Sequence, residues 1–222
     1  LRWQHPERGL VTPGEFIAVA EESDLIVAMG DWVLRSACEQ LVAWGREANL
    51  CHLRLSINVS ARQFRRPDFA QQVIAMLQQT GAPAHLLKLE LTESLMLGNV
   101  DGTIARMHQL RTKGVRFSVD DFGTGYSSLA YLTRLPLDQL KIDQSFVHNL
   151  GVKQTDDVIV QTIIGMARNL ELDVIAEGVE TAEQRDTLAR YGCHYFQGYL
   201  LGRPMPLSEI EALLGNDLAL LG

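Results

Sequence analysis

Six segments of this 222-residue chain end a short apolar run in an oxygen ligand or an amine. Asn58 closes Leu-Ser-Ile-Asn-Val-Ser, and Glu90 and Glu93 stand in Leu-Glu-Leu-Thr-Glu-Ser. Asp120 and Asp121 follow Phe-Ser-Val, and Lys141 and Asp143 lie in Leu-Lys-Ile-Asp. Glu177 and Glu180 belong to Ala-Glu-Gly-Val-Glu, and Gln197 to Phe-Gln-Gly-Tyr. Four or more carboxylates brought together cannot all stay ionised without cations, because like charges raise one another's pKa. An oxygen-only donor set, without His or Cys, suits Mg²⁺, Mn²⁺ or Ca²⁺ rather than zinc. The adjacent Asp120 and Asp121 could give one carboxylate to each of two metals. Such a pair of metals suits in-line phosphoryl displacement, activating a water and stabilising the leaving oxygen. Taken singly, a carboxylate at a strand end is more often a helix cap or a surface charge. Asp121 alone reads as a cap and Lys141 as an exposed lysine. The joint pattern over six strand ends carries the chemical reading.

The elements that must position these groups alternate along the chain. Runs at 53–59, 86–91, 115–119, 137–142, 174–176 and 194–197 have the length and apolar character of parallel strands buried on both faces. A first helix is expected from Thr12 as N-cap, Pro13 at the first helical position and Glu15 closing a capping box. Asp31 is expected to cap a second helix, whose stripe runs Val33, Leu34, Ala37, Cys38, Leu41, Val42 and Trp44. Further helices are expected at 68–79, at 101–113, at 155–170 with Thr155 as cap, and at 181–190 with Thr181 and Gln184 as a capping box. This βαβα order argues for one α/β domain. A closed barrel needs eight strands, and the two helices before the first visible strand imply at least one strand lost upstream. The alternative is an open doubly wound sheet, although its glycine-rich phosphate loop does not follow the first strand. In a barrel the C-terminal strand ends form one rim, where active sites are built.

Composition narrows the function classes. Apolar residues make up 46% and charged residues 21%, which excludes a disordered or fibrous chain. Twenty Lys and Arg against 27 Asp and Glu leave a formal charge of −7, which argues against sequence-independent DNA or RNA binding. No apolar run approaches the ~20 residues needed to cross a bilayer. The three cysteines show no CxxC spacing, so a disulfide framework or Cys-rich zinc site is not expected, and Cys38 reads as core. The six histidines have no paired spacing, and no GxSxG supports a serine triad. Gly123-Thr-Gly-Tyr-Ser-Ser lacks the last glycine of a dinucleotide fingerprint and reads instead as a mobile loop at 123–128 over the site.

Taken in order, the motifs resemble the EAL family of cyclic di-GMP phosphodiesterases. The matching segments are Arg2-Trp-Gln-His-Pro-Glu-Arg-Gly, Pro13-Gly-Glu-Phe-Ile, Ile57-Asn-Val-Ser and Glu90-Leu-Thr-Glu-Ser. They continue with Asp120-Asp-Phe-Gly-Thr-Gly-Tyr-Ser-Ser-Leu, Leu140-Lys-Ile-Asp, Ala176-Glu-Gly-Val-Glu and Gln197-Gly-Tyr-Leu-Leu-Gly-Arg-Pro. The resemblance implies a TIM-like (β/α)8 barrel with an antiparallel first strand, over 1–214, followed by a tail at 215–222. It implies hydrolysis of cyclic di-GMP to linear pGpG with two Mg²⁺ or Mn²⁺ ions and inhibition by Ca²⁺. Asn58, Glu90, Asp120, Asp121 and Glu177 match metal ligands, with Asp143 and Glu180 in support. Lys141 matches the lysine that orients and helps deprotonate the attacking water, Glu93 the glutamate that braces the glycine loop, and Gln197 a residue that positions the water or a ligand of the site. Arg2, Arg203 and Pro206 match substrate-contacting positions. A homodimer, an upstream regulatory domain and a cytoplasmic location are also implied.

The name-giving Glu-Ala-Leu is expected immediately before Leu1, so the chain is expected to lack the first two barrel strands and one ligand. The competing readings are an inactive EAL-type receptor for the dinucleotide and a metal-dependent barrel enzyme acting on another phosphate or sugar.

Overall fold

The computed structural model describes residues 1–96, 99–125 and 129–219. The chain opens with an antiparallel hairpin of β1 (Trp3–His5) and β2 (Gly9–Val11), which no periodicity announces. Helix α1 (Pro13–Glu22) follows, and the edge of Trp3 meets the Phe16 ring at 6.1 Å, tying hairpin to helix. Thr12 stands at its N-cap, but the expected capping box does not form. Glu15 pairs with Arg8 of the hairpin turn instead. Helix α2 (Leu25–Trp44) begins at Asp24, seven residues before the expected cap Asp31. Asp31 lies inside the helix and accepts a hydrogen bond from Gln63 Nε2 at 3.3 Å, because Ile26 extends the buried face back by two turns.

Beyond α2 the chain alternates strands and helices. In order these are β3 (Leu55–Asn58), α3 (Ala61–Phe64), α4 (Phe69–Thr80), β4 (Leu87–Thr92), α5 (Glu93–Met96), α6 (Val100–Arg111), β5 (Arg116–Phe122) and α7 (Leu129–Leu132). They continue with β6 (Gln139–Ile142), α8 (Gln144–His148), α9 (Gln154–Asn169), β7 (Asp173–Ala176), α10 (Ala182–Tyr191), β8 (Tyr195–Phe196) and α11 (Leu207–Ala219). Lys153, not Thr155, takes the N-cap of α9, while the Thr181–Gln184 capping box of α10 forms as expected. Helix α11 runs across position 214 and is fastened to α2 through Glu211, which accepts from Trp44 Nε1 at 2.8 Å and Gln40 Nε2 at 3.0 Å.

Strands β3 to β8 form one parallel sheet in sequential order, each beside the next. A doubly wound sheet reverses direction from its starting strand, so this order excludes it and matches a curled segment of a barrel. Among the described residues this sheet has six strands, with β3 and β8 at its edges. The strands are not apolar on both faces. Leu87, Leu89 and Leu91 of β4 are fully buried on the helix side, as are Phe117, Val119, Leu140 and Ile142. The opposite face carries polar rungs, because directly paired residues share a face. One rung runs Asn58, Glu90, Ser118, Gln139, Asp173, and the rung before it Ser56, Lys88, Arg116.

Candidate active site

The carboxylates come together because one strand breaks its own pleat. Successive residues of a regular strand point to opposite faces, which would separate Asp120 from Asp121. Between β5 and β6 the register shifts. Val119 pairs with Leu140 and Phe122 with Ile142, so Asp120 and Asp121 together oppose the single residue Lys141. This is a β-bulge, and Asp121 absorbs it with φ +53°, a left-handed conformation that aspartate tolerates better than most residues. Carboxylate oxygens of Asp120, Asp121 and Glu177 then lie within 4.8 Å of one another.

Lys141 fills the centre of the cluster. Its Nζ lies 2.7 Å from Glu90, 2.8 Å from Asp120 and 2.5 Å from Glu177, and the residue is only 4% exposed. Burial alone would lower its pKa, but Glu90, Glu177 and Asp120 outweigh burial and hold the ammonium above the ordinary lysine value. An isolated buried lysine falls in pKa, and the three carboxylates reverse that direction here. Burial raises Glu177, with Lys141 opposing it and Asp120 and Glu90 adding to it. Asp121 is raised by burial, then by the charges of Asp120 and Asp143 and a hydrogen bond with Asp143. Carboxyls lifted by burial and then by like-charged neighbours are what a hard cation would relieve, and an oxygen donor set of this kind fits one.

The other expected residues divide into those joined to this cluster and those apart from it. Asn58 stands on the Glu90 rung at the exposed end of β3. Asp143 caps α8, accepting from Ser145 N at 2.9 Å, and faces Asp121. Glu93 opens α5, is 3% exposed, and accepts with Oε2 from Gly123 N at 3.1 Å and Gly125 N at 3.3 Å. The glycine segment that it holds is described as far as Gly125, and 126–128 lie outside the described residues. Gln197 is placed by its backbone, donating to Ala176 O at 2.8 Å and accepting from Val179 N at 3.0 Å. Gly198 permits this approach, since a Cβ there would meet Val179 O at 2.2 Å. Glu180 is exposed, and only its backbone N–H is engaged, by Gln184 Oε1 at 2.8 Å.

Arg2 lies with Asn58 on the wall of a cavity of about 820 Å³ beside β3. Arg203 stacks over the Tyr199 ring at 4.3 Å, and the exposed Pro206 opens α11, its carbonyl accepting from Glu209 N. Neither residue touches the carboxylate cluster among the described contacts. One buried cation near the site went unanticipated. Lys88 is 9% exposed, and its Nζ donates to Gln139 Oε1 at 2.8 Å. Its signal was the strict alternation Leu-Lys-Leu-Glu-Leu, which marks a strand with a polar face.

Comparison with known proteins adds an independent finding. The model of the EAL domain matches residues 1–204. The chain is 45% identical to the bifunctional diguanylate cyclase/cyclic di-GMP phosphodiesterase MucR of Pseudomonas aeruginosa, over 96% of this chain and 31% of that protein. It is 46% identical to the cyclic di-GMP phosphodiesterase NbdA of the same organism, over 96% of this chain and 27% of NbdA. The chain thus spans less than a third of either relative. The solved PaMucR phosphodiesterase in complex with c-di-GMP superposes with a TM-score of 0.91 at 43% identity, covering 94% of this chain and 84% of that one.

Proposed function

Because the chain belongs to the EAL domain family, we propose that its site hydrolyses cyclic di-GMP to linear pGpG. The observation that carries this reading is the enclosure of Lys141 by Glu90, Asp120 and Glu177, with Asp121 turned by the bulge to the same side. The names of MucR and NbdA and the ligand of the PaMucR structure support the choice of substrate.

Asp120, Asp121 and Glu177, with Glu90 and Asn58 beside them, would hold two Mg²⁺ or Mn²⁺ ions. Those ions would supply charge neutralisation at the phosphoryl oxygens and a lowered pKa for the attacking water. Lys141, held as an ammonium by its three carboxylates, orients that water as a hydrogen-bond donor, and its deprotonation would fall to the lowered pKa that the ions supply. Water oxygen bonds to phosphorus, one ribose O3′–P bond breaks, and O3′ leaves as a hydroxyl after taking up a proton. Glu93 keeps Gly123 and Gly125 in place, and through them the bulge that aims Asp121. Gln197 positions the water, Arg2 grips a substrate phosphate, and Arg203 and Pro206 border the guanine end. Asp143 and Glu180 support the ligands. The reading includes a homodimer acting in the cytoplasm. No described helix is long and apolar enough to cross a membrane.

The deciding experiment is turnover of cyclic di-GMP by the complete EAL domain with Mg²⁺ or Mn²⁺, with pGpG identified by chromatography. Binding of the dinucleotide without turnover would replace this reading with the receptor.

A further inference from the structure

Lys88 is a buried ammonium with no carboxylate partner among the described residues. Its one hydrogen bond goes to a neutral amide, Gln139 Oε1. A pair of apolar side chains would fill the same space without the desolvation that a buried charge incurs. The position of Lys88 is therefore informative. It precedes Glu90 by two residues on the same face of β4, about 7 Å along the strand. Its partner Gln139 stands two strands away on the Glu90 rung, so the ammonium reaches towards the cluster and not away from it. Ser118, between Glu90 and Gln139 on that rung, is fully buried, and its Oγ has no described partner, so the layer is polar throughout. Burial lowers the Lys88 pKa; Glu90, Asp173 and Asp138 act to raise it, and Arg54 to lower it.

We infer that Lys88 is a positioning charge that sets how tightly the carboxylate cluster holds a divalent cation. A fixed positive charge beneath Glu90 repels an incoming dication while it partly neutralises the carboxylates when no cation is there. The cluster, already gathered around Lys141, is thereby kept from holding its cation too tightly for exchange. This inference rests on the metal-site reading given above.

The test is calorimetric titration of Mn²⁺ into the full chain, with no substrate present, for wild type, Lys88→Met and Lys88→Arg. Removal of one unit charge at this distance should tighten Mn²⁺ binding about tenfold or more in Lys88→Met. Lys88→Arg, which keeps the charge, should restore the wild-type value. A purely structural role would lower the melting temperature without tightening cation binding. Should Lys88→Met fail to fold, Lys88→Gln keeps a hydrogen-bond donor for Gln139 and takes its place. Equal or weaker Mn²⁺ affinity in the uncharged variants would overturn the inference and leave the metal site standing. Absence of Mn²⁺ binding by wild type would overturn both.

Discussion

The backbone N–H of Asp121 donates to the carboxylate of Asp120 at 3.2 Å, inside a bulge where both residues oppose Lys141. The bulge lets two sequence neighbours serve one face of a sheet. It also brings together charges that raise the pKa of Asp121, after burial itself. Asp121→Asn should therefore separate stability from cation binding. In chelator the variant should melt at a higher temperature than wild type, since a like charge is removed. Its Mn²⁺ affinity should fall at least tenfold, as measured by calorimetry. A variant that melts lower in chelator would show that Asp121 stabilises the bulge as an anion.

Among the described residues, Lys141 is the only ammonium in contact with Glu90, Asp120 and Glu177. Lys141→Ala leaves the buried Glu90 and the partly buried Asp120 and Glu177 without their cation, and breaking a buried pair from one side costs about 3–5 kcal/mol. Denaturant unfolding in chelator should show a loss of that order, and saturating Mg²⁺ should recover much of it. Turnover should fall by about 10²–10⁴-fold, the usual contribution of a general acid–base group. An unchanged kcat would remove Lys141 from the reaction.

Glu93 holds two glycine amides with one carboxylate oxygen. Glu93→Ala orphans both, and hydrogen bonds to a charged group contribute about 1.5–3 kcal/mol. Amide exchange at Gly123 and Gly125 should accelerate well beyond that of core amides such as Leu140. Turnover should drop with Mn²⁺ affinity. If exchange at the two glycines is unaltered, Glu93 does not brace the segment.

Metal identity should follow size and geometry. Mg²⁺ or Mn²⁺ should support turnover, whereas Ca²⁺ should bind and compete without replacing them. Ca²⁺ accepts more ligands at longer and less strict distances, which misplaces the attacking water. Competition assays with fixed Mn²⁺ and rising Ca²⁺ measure this, and full activity in excess chelator would end the two-metal account.

Gly198 has no room for a side chain, since a Cβ would lie 2.2 Å from Val179 O and 2.3 Å from Val179 N. Backbone atoms cannot step aside as a flexible side chain does. Gly198→Ala should cost about 1–3 kcal/mol by overpacking. It should also displace Gln197, and with it the Glu177 segment to which Gln197 is hydrogen-bonded. Thermal melts and Mn²⁺ titration of the variant would show both effects.

The amino-acid sequence by itself determined which residues could do chemistry and in what order they arrive. Asn58, Glu90, Asp120, Lys141, Glu177 and Gln197 each close an apolar run, and local alternation between runs and helical periods is a short-range property. The Thr181–Gln184 cap of α10 was legible for the same reason, because its partners lie three residues apart. The Asp31 and Glu15 caps failed because longer contacts decided them. Glu15 went to Arg8, and Asp31 was drawn into a longer α2 that meets Gln63. Only the tertiary structure could place Asp120 and Asp121 on one face, since their side by side positions predict opposite faces. Whether a strand bulges depends on its register against β6, and register is a relation between distant segments. The charge state of Lys141 was decided in the same way. A lysine between Leu140 and Ile142 is unremarkable in sequence, and only the convergence of three other strands holds its proton in place.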